Sequence, residues 1–459
     1  MANILESYKN RLAISESVHK NFHGTAMSPA KKTMVAACLN NMSRFMNEAF
    51  DSSAATNRGT LSNYKKFCLN VATTALPTLI LPDLMLTQPM SSISGYVTYM
   101  NYMAGTTKGD VTADETFFNG AYRIGKMDEA RINYTSSRVV EAVEDFTSGT
   151  SKVHWTPVNV EAGFKLFNAS DVEVEGTIAK DGTITSEGAV AKVAYVYDNI
   201  EIPQKVEPTS IPTLTGKMDA IELHANARRI AIYYSQIAAF QAKTDYGFDL
   251  GQQLATQAQG ELAYEIDSEG VMMLVDGAEH DTAIDFVKYD ENIDTAKYIS
   301  RSQYYEGFAE TVNKAKMVIF NRTQKFAPNY MIIGVNVLPI LPYLAGWKAA
   351  PAATVNGPFF AGTLDGLKVY VSPAMGADEY VFGVNGSDLQ TSAAVYAPYM
   401  PIVPTQLLGF SDGTMTQGFS TMYDMKLLAT YNKEGNKFVD SRDGKFSYLL
   451  VKGTLKKSA

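Results

Sequence analysis

The pentapeptide Gly409-Phe410-Ser411-Asp412-Gly413 is the nearest approach to a catalytic signature in this 459-residue chain. It fits G-x-S-x-G, in which a serine at a strand-to-helix turn attacks a carbonyl after a histidine base removes its proton. That chemistry requires a helix after the serine and a histidine further along. Thr414-Met415-Thr416-Gln417-Gly418 is not a helical sequence, and no histidine follows His280. A plain turn is therefore expected, with a serine hydrolase at Ser411 as the distant alternative. Gly120-Ala121-Tyr122-Arg123-Ile124-Gly125-Lys126 imitates a loop whose backbone N–H groups and lysine cradle phosphates. Met127 stands where the magnesium-binding hydroxyl belongs, and Phe117-Phe118-Asn119 is a poor preceding strand. No two glycines are spaced G-x-G, so the dinucleotide fingerprint is absent. Asp290-Glu291-Asn292-Ile293-Asp294-Thr295 resembles a calcium loop, but it lacks the sixth-position glycine and puts Arg301 in place of the bidentate acid. The histidines (19, 23, 154, 224 and 280) are read as lacking metal-ligand spacing, and Cys38 and Cys68 stand far apart. Sequons at Asn41, Asn133, Asn168, Asn321 and Asn385 mean nothing without a secretory signal. No catalytic, cofactor-binding or metal-binding residue is assigned and no cofactor is expected. A structural protein rather than an enzyme is the reading.

Composition agrees with that direction. Hydrophobic residues are 46% and charged residues 19%, enough apolar material for a substantial core. At ~100–200 residues per domain the chain makes roughly two to four units. The formal charge of −8 excludes a basic nucleic-acid coat. Two cysteines exclude a disulfide scaffold and fit a reducing compartment. The start, Met-Ala-Asn-Ile-Leu-Glu-Ser-Tyr-Lys-Asn, has no apolar stretch of the kind that export uses. Tyr330 to Gly346 is interrupted by Asn336, Pro339 and Pro342, which suits a strand and loop rather than a ~20-residue membrane helix. A soluble protein made in a cytoplasm is expected. Residues 1–66 hold nine Lys or Arg against four Asp or Glu, and residues 426–459 hold eight against three. Basic ends on an acidic body are either solvated or meet something anionic.

The elements that would position these residues can be read coarsely. Ile4, Leu5, Tyr8 and Leu12 share a helical face. Ser28-Pro29 is a cap and first-turn pair for a helix to about Phe50, with Met34, Val35, Cys38, Met42, Phe45, Met46 and Ala49 as its stripe. Polar residues 51–63 interrupt it. Residues 149–215 alternate in β fashion, with a turn at Lys180-Asp181-Gly182-Thr183, and Pro203, Pro208 and Pro212 read as a linker. Residues 217–276 are expected to be helical. Their longest part runs from the cap Asp249 to the stop Gly277, with the stripe Leu250, Leu254, Ala258, Leu262 and Ile266. Another helix is expected from Ser302 to Arg322, and a strand at Leu367 to Val371.

Four stretches carry a resemblance to a known family. They are Leu76-Pro77 with Asp83-Leu84 and Gln88-Pro89-Met90; Ala231 to Asp267; Asn329 to Val337; and the C-terminal set Val395 to Pro401, Gly418 to Tyr423 and Val451-Lys452-Gly453. In order and spacing the chain resembles the major capsid proteins of tailed bacteriophages, in particular the T-even-like major head proteins. The resemblance implies an α+β chain of the Hong Kong 97 fold. Residues 1–75 would form an N-terminal arm and 76–93 the lead-in to a peripheral domain. Residues 94–149 would form an extended loop region and 150–215 a β-rich insertion. Residues 216–327 would be the peripheral domain with its long spine helix, 328–408 the axial domain and 409–459 a return to the peripheral domain. The family implication is a shell of hexamers, with pentamers as an option, around packaged double-stranded DNA in the virion, assembled in the host cytoplasm. Its first partner is itself, without a membrane. Vertex, portal, scaffolding and decoration proteins are left open as further partners. Relatives lose an N-terminal propeptide to a protease cutting after hydrophobic-x-Glu, a pattern that Ile4-Leu5-Glu6 fits. A tail tube or sheath subunit is the alternative within the same class.

Overall fold

The computed structural model describes residues 2–51, 68–105, 213–289, 300–350 and 357–456, apart from 324, 406, 429, 435–436 and 441–443, together with short stretches between 113 and 196. The chain opens with helices Ala2–Ser7, Lys9–His23 and Pro29–Asp51. Gly24, at φ 70°, ends the second helix in the left-handed conformation that lacks a Cβ penalty. Ser28 accepts from the Lys31 N–H at 3.3 Å and starts the third. Of its expected stripe, Met34, Val35, Cys38, Met42 and Met46 are buried, joined by Leu39, whereas Phe45 stays 46% exposed. A helix at 68–75 and short turns at Leu76–Thr78 and Leu81–Leu84 follow, packed into the same core.

The strand Ser94–Ala104 then pairs antiparallel with Leu214–His224 along its full length, from Ser94↔His224 to Ala104↔Leu214. The sequence reading made 217–249 helical, and this is corrected. The chain runs as strand through Asn226–Ser235, which pairs residue for residue with Thr414–Leu427. Ile230, Ile232, Tyr233 and Tyr234 are branched or aromatic, and a partner nearly two hundred residues away supplies the pairing. Helix starts only at Gln236–Asp245, where Ser235 accepts from Ala238 N–H. The long helix Leu250–Asp276 begins and ends where expected, at the Asp249 cap and at Gly277.

Two sheets form the body. The first has the order Leu86–Thr87, Ala394–Pro404, Thr414–Leu427, Asn226–Ser235, with Leu408–Gly409 also on Thr414–Leu427. The long helix lies across it, burying Ala255, Ala258 and Leu262 against Ile232 and Phe419. Arg228 clamps the pair, holding Glu265 and Glu269 at 2.7 Å each. The second sheet orders Glu279–His280, Leu450–Lys456, Glu379–Gly383, Tyr330–Ile333, Leu367–Val371, Phe359–Leu364 and Trp347–Ala349, with Phe286–Val287 also on Leu450–Lys456. Tyr330–Ile333 is wholly buried at its centre. Helix Phe308–Thr323 buries the expected Phe308, Val312, Ala315 and Ile319. The single helix expected from Ser302 is divided: Gly307 separates Arg301–Glu306 from it.

The sheets do not follow the divisions drawn at 216 and 408. Residues 216–224 belong to the ribbon with 94–104, Ala394–Pro404 joins the first sheet, and Leu450–Lys456 joins the second. Such pairings join residues distant in sequence, and local periodicity carries no trace of the partner. The expected β region is seen as two small antiparallel sheets, one of Arg138–Ala142, Lys192–Val196, Lys165–Phe167 and Glu173–Val174, the other of Gly149–Lys152, Thr183–Ser186 and Gly176–Ile178. Its Asp181-Gly182 turn has Gly182 at φ 86°. The interruption at 52–63, the linker prolines, the phosphate-loop imitation at 120–127 and the calcium-like run at 290–295 lie outside the described residues.

Candidate assembly interface

Ser411 lies in the turn joining Leu408–Gly409 to Thr414–Leu427, a strand-turn-strand hairpin with no helix after it. Gly413 sits at φ 79°, and Asp412 accepts from the Thr414 N–H at 3.0 Å and its hydroxyl at 2.6 Å. These contacts are turn chemistry. His19 and His23 correct the reading of the histidines: they stand four apart on one helix, a spacing that two metal ligands can use. Both are buried and turned to backbone carbonyls. Among the described residues no group of three or more His, Cys, Asp and Glu could hold a metal ion. Among them too, no helix is long and apolar enough to cross a membrane. Cys38 and Cys68 are both buried, and burial pushes the Cys38 thiol up to about 12.

Chemistry-bearing side chains do converge, inside the molecule, on residues 70–83. Lys31, fully buried, donates to the Leu79 carbonyl at 2.6 Å and pairs with Asp83 at 3.4 Å. Burial alone would raise Asp83, but the charge of Lys31, with Lys368 behind it, holds it below its ordinary value. From the long helix, Asp267 accepts from Ile80 N–H at 3.1 Å and Leu81 N–H at 3.3 Å. Gly270 lets that helix approach: a Cβ there would lie 2.3 Å from Leu81 Cδ2. This knot ties the N-terminal helices to the body. Nothing local in the chain marks Lys31 as a buried lysine, so the knot is invisible to a reading of the residues in order.

Two surfaces face outward with the opposite chemistry. On the ribbon, cross-strand pairs put Tyr96, Met100, Leu214 and Met218 on one face, because partners directly opposite share a face and alternate residues return to it. Tyr96 is 65% exposed and Met218 69%. The base of the ribbon is anchored by Val97 and Leu223 in a cluster with Val395, Ala397 and Leu428. The second surface surrounds the short helix Gln236–Asp245, in which only Ala242 is buried. Phe240 is 72% exposed and Tyr246 78%, with Ile237 exposed beside them. Tyr233 and Leu408, both opposite Thr416, and Phe410 also face solvent at this end of the sheet. Contiguous apolar residues facing water mark surfaces made to be covered. Reading 217–249 as helix hid the second surface; the Tyr233-Tyr234 pair before a serine cap was the available signal.

The family described as major capsid protein Gp23 matches residues 61–449. No curated protein matches the chain. Among solved structures, the chain is similar to the capsid of Myoviridae phage XM1, at 13% identity over 72% of this chain and 99% of that one, with a TM-score of 0.35. It is also similar to a chain from Mycobacterium phage Adephagia, at 9% identity over 73% and 92% with a TM-score of 0.34. A third likeness is to the capsid of cyanophage P-SCSP1u, at 10% identity over 69% and 91% with a TM-score of 0.33.

Proposed function

Because the chain belongs to the major capsid protein Gp23 family, we propose that its exposed apolar ribbon and helix are the contacts through which copies of it close a shell. As a phage major capsid protein it is a structural component of the virion. The finer reading is a Hong Kong 97-type subunit. The arm is 1–75 and the lead-in 76–93. The ribbon 94–104 with 214–224 is the stem of the extended loop, carrying the β-rich residues 149–196. The sheet under the long helix is the peripheral domain, and the sheet centred on Tyr330–Ile333 is the axial domain. Copies arranged head-to-tail make heterologous ring contacts, hexamers and pentamers, that close into an icosahedral shell. Contacts of roughly 2,000–5,000 Å² are the scale for permanent assemblies. The inner wall meets packaged DNA through backbone charge alone. Portal, vertex, scaffolding and decoration proteins are further candidate partners. The protein does no catalysis on this reading.

The single observation that carries the assembly reading is the stripe Tyr96, Met100, Leu214 and Met218 on one exposed face of the ribbon. Covering its apolar face on a neighbour removes the exposed area from water. Negative-stain electron microscopy of the purified protein tests it. Closed shells are expected; tubes or a discrete soluble oligomer would refute it.

A further inference from the structure

The helix Lys9–His23 is attached to the body in an unusual way. Its buried residues are Leu12, Ser15, His19 and His23, so three of the four are polar. Ser15, His19 and His23 lie on one ridge of the helix, at spacings of four, with Arg11 at its head and Leu12 beside it. Each member meets residues 70–78 through a hydrogen bond. Arg11 donates to Asn70 Oδ1 at 3.0 Å, and the Ser15 hydroxyl to the Thr73 carbonyl at 2.9 Å. His19 Nδ1 lies 3.0 Å from the Pro77 carbonyl, and His23 Nε2 3.2 Å from Pro77 O and 3.1 Å from Thr78 O. A carbonyl only accepts, so each of these ring nitrogens carries its proton and each ring is satisfied while neutral. The two imidazoles are 4.5 Å apart between centroids.

We propose that the helix Lys9–His23 is an acid-released latch: proton uptake by His19 and His23 lifts it from residues 70–78 while the helix Pro29–Asp51 stays in the core. A second charge on either ring would be buried beside its neighbour and beside Lys31. Glu16 on the same helix already pairs with Lys32 at 2.8 Å. Asp83 is engaged by Lys31. Asp267 faces Ile80 and Leu81 from the long helix, and Lys368 adds positive charge behind Asp83. Burial first, then Lys31 and His19, lower His23 to about 3, and burial with Lys31 lowers His19. Once lifted, both rings return to about 6.5, so the released form takes up protons that the docked form refuses. Acid therefore favours release from about pH 6.5 downward, by roughly tenfold per pH unit from His23 alone. Asp267 is pushed the other way, but its contact is with the long helix and stays closed when the latch opens.

Hydrogen exchange of the full chain between pH 7.5 and 4.5, corrected for the intrinsic pH dependence of exchange, tests the latch. Peptides within 12–23 should lose protection by roughly tenfold per unit below pH 6.5, while peptides within 34–46 keep theirs. The double variant His19→Gln, His23→Gln can still donate to the carbonyls but cannot charge, and its protection should be flat. If that variant does not fold, His23→Gln alone should show a clearly shallower loss. Flat protection in the wild type, equal loss in the variants, or parallel loss in 34–46 would each overturn the proposal.

Discussion

Asp267 shows how much one side chain can be asked to do. It comes from the middle of the long helix, is buried, and receives N–H bonds from both Ile80 and Leu81. Burial raises its carboxyl to about 7, against those bonds and the charge of Lys31. A carboxyl raised in the folded state holds a proton that the unfolded chain releases near pH 4, so its stabilising contribution is complete below about 4 and is lost as pH rises through 7. Asp267→Asn cannot titrate. The stability advantage of the wild type over this variant should therefore narrow between pH 5 and 8. Urea unfolding of the dissociated subunit at several pH values measures it. A widening gap would show that the N–H bonds to the ionised carboxylate dominate the site.

The long helix gives the element-scale test, because two of its glycines have opposite surroundings. Nothing lies within 4 Å of a Cβ built at Gly260, whereas one at Gly270 meets three side-chain atoms of the fully buried Leu81. Gly260→Ala should stabilise by up to about 1 kcal/mol through helix propensity. Gly270→Ala gains the same term but forces an overpacked contact costing roughly 1–3 kcal/mol, so it should be neutral or destabilising. Leu262→Ala, in the core under the helix, should cost about 2–5 kcal/mol, and Gln259→Ala much less. Thermal unfolding of the four variants orders them, and a Leu262→Ala protein as stable as Gln259→Ala would mean that this face is not core. This helix and Pro29–Asp51 were legible because a cap, a stripe and a stop sit within one continuous segment. The strands at 214–235 were not, since Leu214–His224 depends on Ser94–Ala104 and Asn226–Ser235 on Thr414–Leu427, and no window of sequence contains either pair. The knot at 70–83 was illegible for the same reason: Lys31, His19 and Asp267 find one another only after three helices have converged.

At the scale of the whole molecule, the polar knot faces inward and the apolar ribbon faces out, which suits a subunit whose last large burial step happens between copies. A charge placed on the ribbon should separate folding from assembly. Met218 lies opposite Met100 on the exposed stripe and takes no part in the core. Met218→Asp should therefore change subunit stability by no more than about 0.5 kcal/mol, the range of an ordinary surface substitution. In a contact, however, it would bury an unpaired carboxylate among Tyr96, Met100 and Leu214, a cost large enough to block closure. Thr215→Asp puts the same charge on the opposite face of the same strand, where the partner position is Met103. The expected outcome is an unchanged urea midpoint for both dissociated subunits, with shells lost for Met218→Asp and retained for Thr215→Asp by electron microscopy and sedimentation. Shells from both would remove the stripe from the interface. Loss of shells from both would make the whole ribbon, rather than one face of it, the surface that a neighbour covers. A lowered midpoint for Met218→Asp alone would place Met218 in the subunit's own packing and return the assembly contact to the Phe240 and Tyr246 surface.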